Sequence, residues 1–243
     1  MNREKPLEIL YEQGPCLVVN KPAGLLTQAP AGIDSLEVRV KEFYRRREGK
    51  PPEANLYLGL PHRLDRPVSG AIVLARHVRA ARKLSRQFEN RMVRKTYWAF
   101  VQGQVAPDEG TWTDYLHKRH GLAQAAVVDV DHPAAKHAVL HYRVRWQGPL
   151  GSWLEIQLET GRTHQIRVQA ASRGYAVVGD SQYGSALPFG GDYDDARDRP
   201  IALHARRLGF LHPMTQEPIE VVAPLPTVWD TLQLPGEAES LLF

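Results

Sequence analysis

The residues VLHYRVRWQGPLGSWLEIQLET, numbered 139–160, alternate between apolar and polar side chains on either side of a Gly-Pro-Leu-Gly turn. Alternation of this kind is typical of β-strands that bury one face, and a short loop with Gly and Pro between two of them indicates a hairpin. We therefore predict two antiparallel strands, Val139–Trp146 and Trp153–Thr160.

The rest of the chain adds more strands than helices. Further strands are predicted at Cys16–Asn20, Ala71–Ala75, Tyr97–Val101, Ile201–Leu211 and Ile219–Val222, and helices at Ser35–Arg47, Val78–Asn90 and Thr163–Ser172. Because the strands follow one another closely, the pattern favours one α+β domain with a central mixed, mostly antiparallel sheet flanked by helices and loops. We expect this domain to span 1–243, with a core at about 9–225.

Composition excludes several classes of protein. The 243 residues are 43% apolar and 24% charged, which is ordinary for a globular protein and unlike a disordered chain or a coiled coil. No apolar run is long enough to span a membrane, and the first ten residues lack a signal core, so a cytoplasmic protein is expected. Cys16 is the single cysteine, which excludes an intrachain disulfide. Nothing in the sequence demands more than a monomer.

Positive charge is concentrated in one segment. Residues 76–95 contain eight Lys and Arg residues against Glu89 alone, whereas the whole chain has a net charge of +4. Four of the basic residues recur at helical spacing on one side of the predicted helix: Arg79, Arg82, Lys83 and Arg86. This basic stripe suits a phosphate-bearing partner, although charge alone fits a solvated helix face equally well.

Asp65 is the acid with the most chemical interest. It lies in a loop between Arg63 and Arg66, whose charges favour the ionised carboxylate, and an ionised carboxylate can act as a nucleophile or a base. Residue type alone favours a structural role, in turn hydrogen bonds and an ion pair. No second acid lies close in sequence, which argues against a two-carboxylate glycosidase or a nucleoside-cleaving hydrolase.

Two further residues have both a functional and a structural interpretation. Arg162 falls just before a predicted helix, where it could pair with Asp65 or could simply be a surface arginine beside a helix capped by Thr163. Tyr97 opens a strand, where it could stack on a nucleobase or pack in the core.

The ten histidines do not predict a metal site. His117 and His120 are three apart, and His137 and His141 could share one strand face, but neither pair has carboxylates at ligand spacing. The common nucleotide-binding and nucleophile-elbow motifs are also absent from the sequence. We expect no metal.

The loop around Asp65 resembles a family signature. His62-Arg63-Leu64-Asp65 with Ser69-Gly70 is similar to the H-R-L-D-x-x-T-S-G motif of the RluA family of pseudouridine synthases. Further blocks of that family recur in its order: Asn20-Lys21-Pro22-Ala23-Gly24, Lys95-Thr96-Tyr97-Trp98-Ala99, Gly161-Arg162-Thr163-His164-Gln165-Ile166-Arg167-Val168 with Gly179-Asp180 and Tyr183-Gly184, and Leu203-His204-Ala205. The ordered set is far more specific than any one block.

The resemblance implies a role for five residues. By this resemblance, Asp65 is the catalytic nucleophile and Tyr97 packs against the target base. Arg162 would pair with the catalytic carboxylate, and Leu203 would line the uracil pocket. Arg63 would enter the RNA stack and help to displace the target uridine. The family works without a metal or an organic cofactor, and its reaction detaches uracil from C1′ and rejoins it through C5.

The resemblance also implies the partner, a structured RNA of ribosomal or transfer type. A base inside such RNA must be extruded before its glycosidic bond is accessible, and the basic stripe would hold the backbone. Only about twenty residues precede the Asn-Lys-Pro turn, so we expect a member without the N-terminal RNA-binding module. The alternative is a catalytically silent RNA-binding or RNA-remodelling protein on the same fold.

Three features fall outside the motifs. Val68 stands where the family usually has Thr, which removes one hydroxyl from the loop, and Gln169 stands where His is common. The segment 185–200 carries Asp192, Asp194 and two further aspartates. Since its charge would repel phosphate, we expect it to face away from bound RNA.

Overall fold

The structure, a computed structural model, describes residues 6–119 and 124–235. The described chain packs as two compact units, the first formed by residues up to 95 and by 205–224, the second by 96–204 and by residues from 225 onward. The elements are β1 (Glu8–Gln13), β2 (Cys16–Lys21), α1 (Leu36–Arg47), β3 (Ser69–Ala75), α2 (Val78–Glu89), β4 (Arg94–Gln102), β5 (Glu109–Lys118), β6 (Ala125–Val128), β7 (Lys136–Gly148), β8 (Gly151–Leu158), α3 (Gln165–Ala171), β9 (Leu203–Leu211) and β10 (Pro218–Val222). The predominance of strands confirms the predicted α+β class.

The first unit is built on an antiparallel meander. β1 pairs with β2 and β2 with β3, and β10 pairs with β9, all antiparallel. Every residue of β3 is buried, because apolar side chains cover both of its faces. Gly70 is required in this strand: its φ is +119°, and a Cβ there would lie 2.4 Å from the carbonyl oxygen of Ala205.

The two helices of the first unit agree with the sequence prediction. The side chain of Ser35 caps α1 by accepting a hydrogen bond from the amide of Val38 at 3.3 Å. α2 buries Ala80, Ala81, Leu84 and Gln87, and its apolar face joins a core cluster with Val18, Val73 and Phe210. The opposite face of α2 remains free to carry charge.

The second unit contains the predicted hairpin. β7 and β8 are antiparallel and close at Gly148 opposite Gly151. The strand order in this unit is β4, β8, β7, β5 and β6, with each neighbouring pair antiparallel. α3 lies against β5 and β6, where Val168 packs with Leu116 and Ala138.

Some elements differ from the sequence prediction. β1 and β5 were not predicted, since their polar side chains weaken the apolar pattern on which strand assignment depends. β6 was not predicted because it has only four residues, all apolar, and so shows no alternation. α3 begins at Gln165, two residues later than predicted, because His164 adopts the left-handed conformation with φ of +53°. Thr163 therefore does not cap this helix. The predicted extent of the catalytic domain stays a prediction.

His62 is held between β3 and α2. Its Nε2 accepts a hydrogen bond from the amide of Val73 at 3.1 Å, and its ring stacks on Phe88 with centroids 4.4 Å apart. Burial, with the positive charge of Lys95 as a smaller cause, lowers the pKa of His62 to about 3. The ring is therefore neutral in the folded protein, with its proton on Nδ1.

We predict that His62 makes the folded protein sensitive to acid. Below the unfolded pKa of about 6.5, the unfolded chain binds a proton that the folded chain does not, so stability falls as pH drops from 6.5 towards 3. The free energy of unfolding should be measured by urea titration between pH 7.5 and 4.5 for the wild type and for His62→Gln, which cannot titrate. The wild-type advantage should shrink by up to about 1.4 kcal/mol per pH unit below 6.5. A constant difference across that range would contradict the prediction.

Candidate functional site

Asp65 lies at the centre of a tightly anchored loop in the first unit. Its side chain is half-buried, Arg63 is exposed, and Leu64 between them is buried. The carbonyl of Asp65 accepts a hydrogen bond from the amide of Val68 at 3.1 Å, which closes a turn just before β3. Val68 is 2% exposed, so its methyl groups fill a buried position.

The turn at residues 20–24 and the nearby Thr27 hold the Asp65 loop by hydrogen bonds. The amide of Gly24 donates to the carbonyl of Arg66 at 2.8 Å, and Nε of Arg66 donates back to the carbonyl of Gly24 at 2.8 Å. The hydroxyl of Thr27 donates to the carbonyl of Leu64 and accepts from its amide, at 2.8 and 3.2 Å. Asp65 thus lies between two residues whose main chains are both fixed.

A buried lysine completes the anchor. Lys21 is 0% exposed, and its Nζ donates to the carbonyls of Leu25 at 2.7 Å, Pro22 at 2.9 Å and Arg66 at 3.3 Å. Burial lowers the pKa of Lys21 to about 7, against the opposing effect of the negative charge of Asp65. Sequence reasoning missed this residue, although a lysine at the end of an apolar strand is a usable signal.

Arg162 lies in the loop between β8 and α3 of the second unit. Its Nε donates to the carbonyl of His137 at 2.8 Å, and its amide donates to Oε1 of Gln165 at 3.0 Å. The side chain is half-buried. These two contacts fix where the loop lies over β7.

A second polar cluster involves α3 and His164, the residue that precedes it. Arg167 and Asp180 form a bidentate ion pair at 2.6 and 2.8 Å, and both are almost fully buried. The guanidinium of Arg167 also lies over the ring of Tyr183, whose hydroxyl is 2.9 Å from Nδ1 of His164. The Gly-Asp and Tyr-Gly blocks therefore brace the turn that begins α3.

The remaining predicted site residues also lie in the second unit. Tyr97 is half-buried in β4, opposite Ile156 of β8, and Leu203 is buried at the start of β9. The structure thus brings Arg63 together with Asp65 in one loop, and it places Tyr97, Arg162 and Leu203 in the other unit. The pairing of Arg162 with Asp65 stays a prediction.

The basic stripe is solvent-facing on α2. Arg79, Arg82 and Arg86 are exposed, and Lys83 is half-buried. Across the described ranges, none of the four makes an ion pair, whereas Arg47 and Arg76 in the same unit are matched with glutamates. Their charge is therefore available to an external anion.

Residues 6–119 and 124–235 contain neither a metal-ligating cluster nor a membrane-spanning helix. No group of three His, Cys, Asp or Glu side chains there could hold an ion, and none of the helices in those ranges could cross a bilayer. His137 and His141 do share the exposed face of β7, but His141 is hydrogen-bonded to Thr111 at 2.8 Å. His120 lies outside the described residues.

Comparison with known proteins identifies the family. The family model described as RNA pseudouridylate synthase matches residues 15–172. Ribosomal large subunit pseudouridine synthase D of Xanthomonas campestris is 38% identical over 228 residues, which is 91% of this chain and 66% of that protein. An uncharacterized RNA pseudouridine synthase of Synechocystis is 32% identical over 93% of this chain and 68% of its own length.

Solved structures agree with this result. Human RNA pseudouridylate synthase domain containing 1 superimposes with a TM-score of 0.70 at 25% identity, covering 95% of this chain and 89% of that one. Human RNA pseudouridylate synthase domain containing 4 shares the fold, with a TM-score of 0.73 at 24% identity over 94% of both chains. The chain spans about two thirds of the length of the curated relatives named above. It belongs, as its motifs predict, to the RluA family of RNA pseudouridylate synthases, which are isomerases.

Proposed function

We propose that this protein isomerises specific uridines to pseudouridine in a structured RNA, ribosomal or transfer, with Asp65 as the nucleophile. The observation that carries the proposal is the anchoring of the Asp65 loop. A carboxylate flanked by two residues with fixed main chains is preorganised, so little free energy is lost in positioning it against a bound uridine.

The reaction leaves the composition of the RNA unchanged. The bond between C1′ and N1 of uracil breaks, the base rotates, and a bond forms between C1′ and C5, while C5 loses a proton and N1 gains one. Arg162 would keep the Asp65 carboxylate ionised and oriented, and Tyr97 would pack against the detached base. Leu203 would exclude water from the uracil pocket.

Access to the uridine requires its extrusion from the RNA. Arg63 is exposed beside Asp65, so its guanidinium can fill the gap that the extruded base leaves. Arg79, Arg82, Lys83 and Arg86 would bind backbone phosphates, a role supported by the exposure of the three arginines and by the lack of carboxylate partners for all four in the described chain. The name of the Xanthomonas campestris relative, a ribosomal large subunit pseudouridine synthase, favours a ribosomal RNA as the target.

The second candidate is a silent RNA-binding protein that uses the same surface. The unneutralised stripe on α2 is the observation in its favour, since binding alone would also require it. A protein that only binds RNA would not need the several hydrogen bonds that hold the backbone on both sides of Asp65, so this observation argues against the second candidate.

We predict that Asp65→Asn abolishes catalysis and spares binding. Asparagine keeps the shape of the side chain but removes the negative charge, so pseudouridine formation should fall by at least about 10³-fold. Transcribed ribosomal and transfer RNAs should be incubated with purified protein, and pseudouridine mapped by carbodiimide labelling and reverse transcription. The dissociation constant for the same RNA should change less than about threefold.

The matched control is Asp34→Asn, because Asp34 is an exposed aspartate of the same unit. It should retain wild-type activity. An active Asp65→Asn protein would show that the nucleophile is assigned wrongly. Wild-type protein that binds these RNAs and modifies none of them would favour the silent binding protein.

We predict that Arg82→Glu combined with Arg86→Glu weakens RNA binding and flattens its salt dependence. Each lost phosphate contact lowers the slope of log K against log salt by roughly 0.7–0.9, so the double variant should lose about 1.4–1.8 from the slope. Binding should be measured from 50 to 300 mM salt. Arg197→Glu with Arg199→Glu makes the same charge change in the acidic segment and should leave the slope unaltered. Equal slopes for the stripe variant and wild type would remove α2 from the RNA interface.

A further inference from the structure

We infer that Gln165 is a positioning residue for Arg162, acting through a closed set of hydrogen bonds that includes Thr160. This inference rests on the proposed function, because it concerns the arginine that orients the catalytic carboxylate. In the sequence analysis Gln165 is only one residue of a family motif, and Thr160 is only the end of a predicted strand.

The side-chain amide of Gln165 has hydrogen-bond partners at both ends of the loop and in β7. Its Oε1 accepts from the hydroxyl of Thr160 at 2.8 Å and from the amide of Arg162 at 3.0 Å. Its Nε2 donates to the carbonyl of Val139 in β7 at 3.1 Å. The side chain is 3% exposed, so water cannot replace these partners.

Thr160 connects the same amide to β7. Its hydroxyl accepts from the amide of Val139 at 2.8 Å while it donates to Gln165. The residue is 4% exposed. The chain from Thr160 to Gln165 is therefore a loop tied at both ends to one residue of β7.

The chemistry of the side chain admits one orientation. Turning the amide by 180° would direct its NH₂ group at the amide of Arg162 and its oxygen at the carbonyl of Val139, so both contacts would become repulsive. The orientation in turn fixes the main chain of Arg162. With Nε of Arg162 held by the carbonyl of His137, little freedom is left for the rest of the guanidinium.

A neighbouring glutamine provides a matched control. Gln169 lies one turn further along α3 and is 0% exposed, and its Nε2 donates to the carbonyl of Trp112 and to Oδ2 of Asp114 at 3.1 and 2.7 Å. It thus has the same burial and the same side chain as Gln165 but no contact with the Arg162 loop. A purely structural role predicts similar consequences for the two glutamines.

The experiment compares Gln165→Leu with Gln169→Leu in the full-length protein. Leucine preserves the volume and removes the hydrogen bonds, and a displacement of about 1 Å at a catalytic group can cost about 10²-fold in rate. We expect kcat for pseudouridine formation to fall roughly 10–100-fold in Gln165→Leu, with KM for RNA within about twofold of wild type. Gln169→Leu should lower the melting temperature without lowering kcat.

A second pair of variants, at Thr160, tests the inference even if Gln165→Leu does not fold. Thr160→Val is isosteric but lacks the hydroxyl, whereas Thr160→Ser retains it. kcat should fall in Thr160→Val and return close to the wild-type value in Thr160→Ser, even if Gln165→Leu fails to fold.

The inference is overturned if kcat of Gln165→Leu stays within twofold of wild type, if Gln169→Leu loses as much kcat, or if the two Thr160 variants have equal kcat. In those cases an inactive Asp65→Asn protein would leave the proposed function intact. An inactive wild type, or an active Asp65→Asn, would overturn the proposed function and this inference together.

Discussion

The conformation of the Asp65 loop depends on the hydrogen bonds of the buried ammonium group of Lys21. An ammonium ion loses much of its hydration free energy on burial, and the loss is offset only where each N–H meets an acceptor and a negative charge lies near. Lys21 has both, since three carbonyls surround Nζ and the charge of Asp65 favours its protonated form. The negative charge of the proposed nucleophile therefore helps to keep the buried lysine protonated.

In each unit, hydrogen bonds hold in place the loop that carries a proposed active-site residue. In the first, Asp65 is fixed by hydrogen bonds to the main chain of its neighbours, and in the second, Arg162 is fixed by hydrogen bonds to its own amide and to Nε. In both, a buried polar side chain supplies one of the contacts: Lys21 in the first unit and Gln165 in the second. The side chains proposed to contact the RNA backbone and the base stack are more accessible, since Arg63 and the three arginines of the basic stripe are exposed.

Several elements of the fold could be predicted from the sequence. The alternation around Gly148–Gly151 identified a hairpin that the structure contains, and helical spacing placed the basic stripe on the outer face of α2. The ordered motifs identified the family. β5 was missed because its polar residues interrupt the alternation that identifies a strand. The start of α3 was placed two residues too early because no pattern in the neighbouring residues indicates that His164 is left-handed.

The sequence by itself determined the fold class, the family and the identity of the residues that carry the proposed chemistry, because these follow from local periodicity and from short motifs. Only the tertiary structure decided which polar side chains hold those residues in place. Lys21 meets the carbonyl of Arg66 forty-five positions away, and Gln165 meets Val139 twenty-six positions away. Such partners cannot be read from neighbouring residues, because burial and hydrogen-bond geometry arise only once distant segments pack together.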